Sequence, residues 1–180
     1  MSTAVDISPE VLAKIPLFQN LSAAECLQLA EIATVHNFTP GEMILRQGRS
    51  SQNLWIVISG QCEVIRHGDN GDQEEVVLAT LAPYDNFGEM SFFHAAPHSA
   101  GVRGKTNVRL LRITREAYDQ LISNGAVVAY KLAHNTVESL ADRLRKMDEW
   151  VARLMRQQTE NRRVQEWNQF RQSLFSEWSL

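Results

Sequence analysis

The residues best suited to chemistry in this chain lie in one segment near its middle. The segment contains two runs, Phe87-Gly88-Glu89-Met90-Ser91-Phe92-Phe93 and Pro97-His98-Ser99-Ala100-Gly101-Val102. A Gly-Glu turn that opens a short helix can direct backbone N–H groups at a phosphate. The adjacent carboxylate of Glu89 can accept hydrogen bonds from a sugar hydroxyl. This combination suits a small pocket for a ligand that carries both a phosphate and a sugar.

The segment also resembles the phosphate-binding cassette of the cyclic nucleotide-binding domain family. The family's cassette reads roughly Phe-Gly-Glu-(Leu/Met)-(Ala/Ser), then a gap, then Pro-Arg-(Ser/Thr/Ala)-Ala, so His98 stands at the Arg position. The resemblance implies that Glu89 is the ribose-binding carboxylate. The alternative is a carboxylate that only complements the helix dipole. The implied ligand-binding residues are Phe87, Gly88, Glu89, Met90, Ser91, His98, Ser99 and Ala100.

The resemblance extends over about residues 15–150. Its other pieces, in the family's order, are Leu17-Phe18, Leu21-Ser22 with Glu25, Pro40-Gly41-Glu42, Gln47-Gly48, Leu54–Gly60 with Val64, and Leu140–Leu144. The family includes the sensor domain of the catabolite activator protein and the regulatory subunit of cAMP-dependent protein kinase. The resemblance therefore implies an α+β fold, in which an antiparallel β jelly roll carries an N-terminal helix and a long C-terminal helix.

The histidine at position 98 weakens the predicted site. An Arg donates two parallel hydrogen bonds to a phosphate and keeps its charge, whereas a neutral histidine offers one donor at a time. Losing the bidentate contact costs about 2–5 kcal/mol. Arg103 is not expected to compensate, because strand alternation points it away from the face of Val102. We predict weak or absent cAMP binding. The candidate ligand is a cyclic nucleotide or another small anion, and no further cofactor is predicted.

The long helix carries a second departure from the family. In the catabolite activator branch, a Thr and a Ser on this helix contact the adenine. Counted from the run Ala141–Leu144, the matching positions hold Met147 and Asp148. Met147 offers no hydrogen bond to a base.

Alternating apolar residues predict the strands that would hold the pocket. The strand signals fall at Leu54–Ser59, Cys62–Ile65, Val76–Ala79, Ala100–Arg103 and Val108–Ile113, the last two interpreted as a strand pair. Many short strands between Gly-rich turns indicate a sandwich or barrel.

Two short helices frame this region. Ser22 with Glu25 forms a capping box that opens a helix to Ala33, with a predicted apolar face of Ala23, Leu27, Ala30 and Ile32. Thr114 opens a second helix, which carries Ala117, Tyr118, Leu121 and Ile122 on one face and ends near Asn124-Gly125.

The last long helix carries a regular apolar seam. Its residues alternate steps of three and four, which is the spacing of a coiled coil. The seam, our predicted dimer interface, consists of Tyr130, Ala133, Val137, Leu140, Leu144, Met147, Val151 and Leu154. The alternative is a helix that packs only on the barrel. We expect the first turns to contact the barrel and the rest to form a parallel homodimer.

The predicted organisation is a β-roll at 1–125, a dimerisation helix at 126–158 and an aromatic amphipathic tail at 159–180. Val164, Trp167, Arg171, Leu174 and Trp178 share one face of this tail, with Phe170 and Phe175 beside it. We expect the tail to fold back on the dimer, and the alternative is a protein partner that binds through 159–180. A membrane-surface role is disfavoured because the basic residues of the tail are nearly balanced by acidic ones.

Composition narrows the function classes. The 180 residues are 44% hydrophobic, no apolar run approaches a membrane span, and the N-terminus lacks a secretory signal pattern. Only Cys26 and Cys62 are present, which favours reduced thiols in a cytoplasmic protein over a disulfide scaffold. Residues 1–125 hold 9 Lys and Arg against 14 Asp and Glu, a net charge of −5. Nucleic-acid binding is therefore not expected unless the chain is truncated.

No enzyme is predicted. The five histidines lack the His-x-His spacing of metal-dependent jelly-roll enzymes, so no catalytic or metal residue is assigned. The sequence predicts a regulatory module that signals through its long helix. The alternatives are a truncated DNA-binding regulator of the same family and a ligand-free dimeric interaction module.

Overall fold

The computed structural model describes residues 9–68, 75–157 and Trp167. Eight strands form the centre of the fold: β1 Ala33–Phe38, β2 Met43–Leu45, β3 Asn53–Ser59, β4 Cys62–His67, β5 Glu75–Leu81, β6 Asn86–Phe87, β7 Gly101–Gly104 and β8 Val108–Thr114. The helices are α1 Pro9–Leu12, a 3₁₀ turn at Pro16–Phe18, α2 Ala23–Ile32, α3 Glu89–Phe93, α4 Arg115–Ser123 and α5 Val127–Gln157.

The strands form two antiparallel four-stranded sheets. One sheet has the order β1-β8-β3-β6 and the other has the order β2-β7-β4-β5. The chain passes from the first sheet to the second between β3 and β4, at Gly60 (φ 81°), where a Cβ would collide with the backbone carbonyl of Asn107. The predicted jelly roll, with helices before it and a long helix after it, is confirmed.

One buried apolar cluster lies between the sheets. Its buried members come from both sheets: Leu45, Trp55, Val57, Cys62, Phe87, Val102, Val108 and Leu110. On β3, Trp55 and Val57 face this interior, whereas Leu54 and Ile56 pack on the other side of the sheet. The strand is therefore buried on both faces, which explains its nearly continuous apolar sequence.

The helices cover the outer face of the β1-β8-β3-β6 sheet. Phe92 of α3, Tyr118 of α4 and Leu132 of α5 join Leu54 and Ile56 in a second buried cluster. Polar contacts fix the first turns of α5 to the N-terminal region. Asn135 Nδ2 donates to the carbonyl oxygens of Leu17 (2.9 Å) and Gln19 (2.8 Å).

Both predicted short helices are present. The capping box of α2 is formed, with Ser22 N donating to Glu25 Oε2 at 2.7 Å and Glu25 N donating to Ser22 Oγ at 3.3 Å. Thr114 Oγ1 caps α4 by accepting from Ala117 N, and Gly125 after its end has a φ of 67°.

Three details differ from the sequence predictions. The buried residues of α2 are Cys26 and Leu29, whereas Leu27 is exposed. Strand β1 begins at Ala33, where the sequence pattern placed the end of a helix. Strands β7 and β8 do not pair with each other, because β7 joins β2 and β4 while β8 joins β1 and β3.

The chain divides into two compact units, Met1–Thr136 and Val137–Leu180. In the described part of the second unit, α5 continues to Gln157 with much of its apolar seam exposed. The exposed fractions are 64% for Val137, 56% for Leu144, 51% for Met147 and 38% for Leu154. Apart from Trp167, the predicted tail at 159–180 lies outside the described residues. Among the described residues, no helix has both the length and the apolar character needed to cross a bilayer.

Candidate functional site

The cassette is built on a strand, a glycine turn and one short helix. Strand β6 ends at Phe87, Gly88 caps α3, and the chain then returns through 94–100 to β7. Gly88 has a φ of 83°, and a Cβ there would lie 2.5 Å from the carbonyl oxygen of Asn53. Only glycine fits both requirements, so this position fixes the direction in which α3 leaves the sheet.

The residues beside Gly88 point into the protein. Phe87 is 5% exposed and stacks on Trp55, with 6.2 Å between ring centroids and 9° between ring planes. Glu89 is 4% exposed at the start of α3, and its Oε2 lies 3.5 Å from Asn86 Nδ2. The first turn of a helix also leaves backbone N–H groups without intrahelical acceptors. The cassette can therefore present a buried carboxylate and backbone donors together.

His98 is held at four points. The residue is 6% exposed, and its ring has Nδ1 at 2.9 Å from Ser91 Oγ and Nε2 at 2.8 Å from Ser51 Oγ. Its backbone N–H donates to the carbonyl of Arg49, and its carbonyl accepts from the N–H of Gly48. The residue thus ties the end of the cassette to the loop between β2 and β3.

Burial lowers the pKa of the His98 ring below its ordinary value. A neutral imidazole has one N–H donor and one acceptor nitrogen. Because Ser51 and Ser91 already occupy both nitrogens, the neutral ring has no further donor for an anion. In this arrangement His98 acts as a structural tie within the cassette.

The structure brings only some of the predicted site residues together. Ser91 contacts His98 directly, and Glu89 begins the helix that carries Ser91. The Met90 side chain is 63% exposed, so its role in the predicted site is limited to its backbone N–H. Ser99 is exposed and Ala100 is half-buried before β7.

Arg103 lies on the face opposite Val102, as alternation requires. Its guanidinium contacts Glu63 (3.0 Å) on the adjacent strand β4 and Glu75 (2.9 Å) on β5, the next strand beyond β4. The hydrogen bond from Arg103 holds the pKa of the Glu63 carboxyl below its usual value. Arg103 is therefore committed to this surface network.

Two interior residues of the roll were missed at the sequence level. Arg112 of β8 pairs directly with Trp55 of β3, and its guanidinium carbon lies 5.8 Å from the centroid of the Trp55 ring. His36 of β1 also contacts Trp55, edge to face at 5.4 Å. Burial, and secondarily Arg112, lowers the pKa of His36. The alternation of Val108 and Leu110 on β8 was the available signal that Arg112 faces inward.

Known proteins match this fold and cassette. The sequence model of the cyclic nucleotide-binding domain matches residues 35–125. The chain belongs to the cyclic nucleotide-binding domain family, as its cassette indicated.

The matched relatives include bacterial receptors and kinase regulatory subunits. The chain is 34% identical to the cyclic AMP receptor protein of Thermus thermophilus over 133 residues, which cover 74% of this chain and 59% of that protein. It is 28% identical to the cAMP-dependent protein kinase regulatory subunit of Yarrowia lipolytica, with coverage of 62% and 28%. The chain thus spans less than two thirds of the length of either relative. These relatives are named as a receptor and as a regulatory subunit.

Solved structures show the same fold. The catabolite activator protein of Thermus thermophilus aligns with a TM-score of 0.67 and 33% identity, covering 78% of this chain and 63% of that one. A cyclic nucleotide-binding domain from Methylobacillus flagellatus aligns with a TM-score of 0.71 at 22% identity, covering 84% and 83%.

Proposed function

We propose that this chain is a cytoplasmic, homodimeric sensor module in which a small anionic ligand acts on the long helix α5. The observation that supports the proposal most strongly is the cassette. Its glycine, Gly88, fixes the direction of α3, and Glu89 at the start of α3 is buried in a fold of the cyclic nucleotide-binding family. Its relatives carry the names of cAMP-responsive regulators. These observations favour a regulatory role over a catalytic one.

The ligand of this module is not expected to be cAMP at high affinity. The family's Arg position holds His98, and both nitrogens of that ring contact serine hydroxyls. A deficit of about 2–5 kcal/mol corresponds to roughly 30-fold to several-thousand-fold in affinity. A cyclic nucleotide at low affinity, or a different small anion, fits the site better.

Dimerisation through the α5 seam is supported by its exposure. Val137, Leu144 and Met147 are each more than half exposed in the single chain, although they are large and apolar. A regular stripe of this kind normally marks a protein contact. A second copy of the chain can bury this stripe, because side chains spaced three and four residues apart on two parallel helices interlock.

A short chain of contacts leads from the cassette to α5. Phe92 of α3 packs on Tyr118 with 5.3 Å between ring centroids, and Arg115 Nη1 donates to the Phe92 carbonyl at 3.1 Å. The Tyr118 hydroxyl donates to the carbonyl of Ala129 in α5 at 3.0 Å. We infer that a ligand which shifts α3 changes the position of α4 and the first turns of α5.

Hydrogen exchange on the full chain tests this coupling. Adding cAMP at about 1 mM, a concentration suited to weak binding, should change exchange rates in the cassette and in residues 127–136. Tyr118→Phe keeps the ring but removes the hydroxyl donor, so it should preserve the cassette response and reduce the response of α5. An unchanged α5 response in this variant would contradict transmission through Tyr118.

A second candidate is the sensor half of a DNA-binding regulator. The observation that favours this candidate is the match to a CRP-like cAMP-activated global transcriptional regulator of Mycobacterium tuberculosis. The matched region covers 62% of that protein. Sequencing the reading frame beyond Leu180 tests this candidate, because a reader domain would have to be encoded there.

The tail at 159–180 is proposed to pack on the dimer, with a protein partner as the alternative.

A further inference from the structure

An unusual row of side chains crosses the interior face of the sheet beside the cassette. Arg112 pairs with Thr34 on one side and with Trp55 on the other, and Trp55 pairs in turn with Phe87. Phe87 directly precedes Gly88, so this row ends where the cassette begins.

Two buried N–H donors in this row have no acceptor among the residues that the structure describes. Trp55 is 5% exposed, and no described acceptor lies within hydrogen-bond distance of its Nε1. Arg112 Nε on the adjacent strand is buried and is likewise without an acceptor in the described part of the chain. Buried donors are nearly always paired in folded proteins, so two neighbouring exceptions call for an acceptor that the described residues do not supply.

The charge of Arg112 also favours an anion bound at this place. The side chain is half-buried, and within the described ranges it forms no ion pair. Its guanidinium carbon lies over the Trp55 ring, and burial, with a smaller effect from the charge of Arg112, lowers the pKa of the nearby His36 ring. An anion beside this half-buried guanidinium would reduce the cost of its partial burial.

We propose that Arg112 and Trp55 form an anion site inside the roll, which receives the negative group of the ligand in place of position 98. Arg112 supplies the charge and one N–H donor, and the Trp55 indole supplies a second donor from the neighbouring strand. The ligand class is a small molecule with a phosphate or carboxylate, and its polar remainder lies toward Glu89. The proposal rests on the sensor function proposed above.

A titration of the ¹⁵N-labelled chain of 180 residues by two-dimensional NMR tests this site. The probes are cAMP, cGMP and inorganic phosphate, with adenosine as a neutral control. The indole signal of Trp55 is assigned by its loss in Trp55→Phe, and the Nε–H signal of Arg112 by its loss in Arg112→Gln. Both signals should shift saturably with at least one anionic probe, and adenosine should leave the Arg112 signal unchanged.

Variants then measure the contribution of each donor. Arg112→Gln should weaken binding of the anionic probe by roughly tenfold or more, and Trp55→Phe, which keeps an aromatic ring, by several-fold to tenfold. Arg109→Gln is the matched control. Arg109 lies on the same strand as Arg112, and strand alternation places its side chain on the opposite face of the sheet. It should bind like the unaltered chain.

The outcomes separate this site from the sensor function. If a probe shifts the cassette amides of 88–91 but neither donor signal, or if Arg112→Gln binds with unchanged affinity, the Arg112–Trp55 site is wrong and the sensor function stands. If no anionic probe shifts any signal at up to about 10 mM, a concentration that detects even very weak binding, both proposals are contradicted.

Discussion

Position 98 shows how one residue changes the chemistry of a family motif. An Arg there would extend a charged fork, whereas His98 closes a hydrogen-bonded chain from Ser91 to Ser51. The cassette keeps its shape because the histidine ties it to the β2–β3 loop. The same contacts leave the ring without a donor for phosphate.

His98→Arg should raise the affinity for cAMP. A guanidinium at this position regains a bidentate, permanently charged contact, so we expect a gain of at least about tenfold. Titration calorimetry of both chains measures the change, and His98→Lys is the control for charge without the planar fork. Submicromolar cAMP affinity of the unaltered chain would contradict the account of this position.

The His98 ring should also make stability depend on pH. Because burial lowers its pKa in the folded protein, the unfolded chain takes up the proton first as the pH falls. Stability should therefore be complete above the ordinary histidine pKa of about 6.5 and decline below it, toward the lower pKa of the folded state.

Urea unfolding between pH 7.5 and pH 5.5 measures this decline. His98→Gln should flatten it, and the remaining slope should include His36, whose pKa burial also lowers. A stability that rises as the pH falls through this range would contradict the assigned direction.

The motif revealed position 98, but not its partner. Ser51 lies 47 residues away in sequence and reaches the ring only because the β2–β3 loop folds onto the cassette. Alternation on β8 indicated that Arg112 faces inward, but its contact with Trp55 depends on which strand pairs with β8. Contacts between residues far apart in the chain carry no local sequence signal.

At the scale of elements, the cassette depends on the turn at Gly88. Gly88→Ala should destabilise the fold, because a left-handed backbone costs about 1–2 kcal/mol for alanine and the new Cβ also meets the Asn53 carbonyl. Gly41→Ala is a matched control, since Gly41 has the same φ of 83° and a Cβ there would meet no heavy atom within 4 Å.

Thermal and chemical unfolding of the two variants should separate the cost of the left-handed backbone, which both share, from the cost of the contact with the Asn53 carbonyl, which only Gly88→Ala introduces. We expect Gly88→Ala to lose more stability than Gly41→Ala, and only the former to lose probe binding. Equal losses would mean that α3 can shift freely and that the turn does not fix the cassette.

Elements with strong local patterns could be predicted from the sequence. The capping box of Ser22 and Glu25 defined α2, and the apolar run after Asn53 defined β3. Strand β1 was missed because Ala33–Phe38 follows α2 without a Gly or Pro break and carries three polar residues. Strand β6 has two residues, which is too short for any periodicity.

At the scale of the whole molecule, the seam of α5 predicts the assembly. Leu144→Asp should convert a parallel homodimer into monomer or aggregate, because it places a charge in each copy of the seam. Ala152→Asp is the control, since Ala152 is exposed on α5 and lies outside the seam positions. Sedimentation at tens of micromolar measures the state, and a monomeric unaltered chain would contradict the dimer.

The tail at 159–180 belongs to the same scale. Its aromatic face predicts a helix that requires something to pack on, because isolated helices of this length are marginal. Deleting 164–180 should lower stability or solubility while the cassette fold remains, as judged by melting temperature and light scattering. An unchanged melting temperature and monodispersity would favour docking on a separate partner.

The central claim is that a small anion binds inside the roll, and a thermal-shift titration tests it most directly. A ligand that binds only the folded chain raises the melting temperature by mass action, so the rise must grow with ligand concentration. We predict a concentration-dependent rise with at least one anionic probe among cAMP, cGMP and phosphate, and a smaller rise for Arg112→Gln. A melting temperature that no anionic probe changes up to about 10 mM, where even weak binding is detectable, would contradict the account.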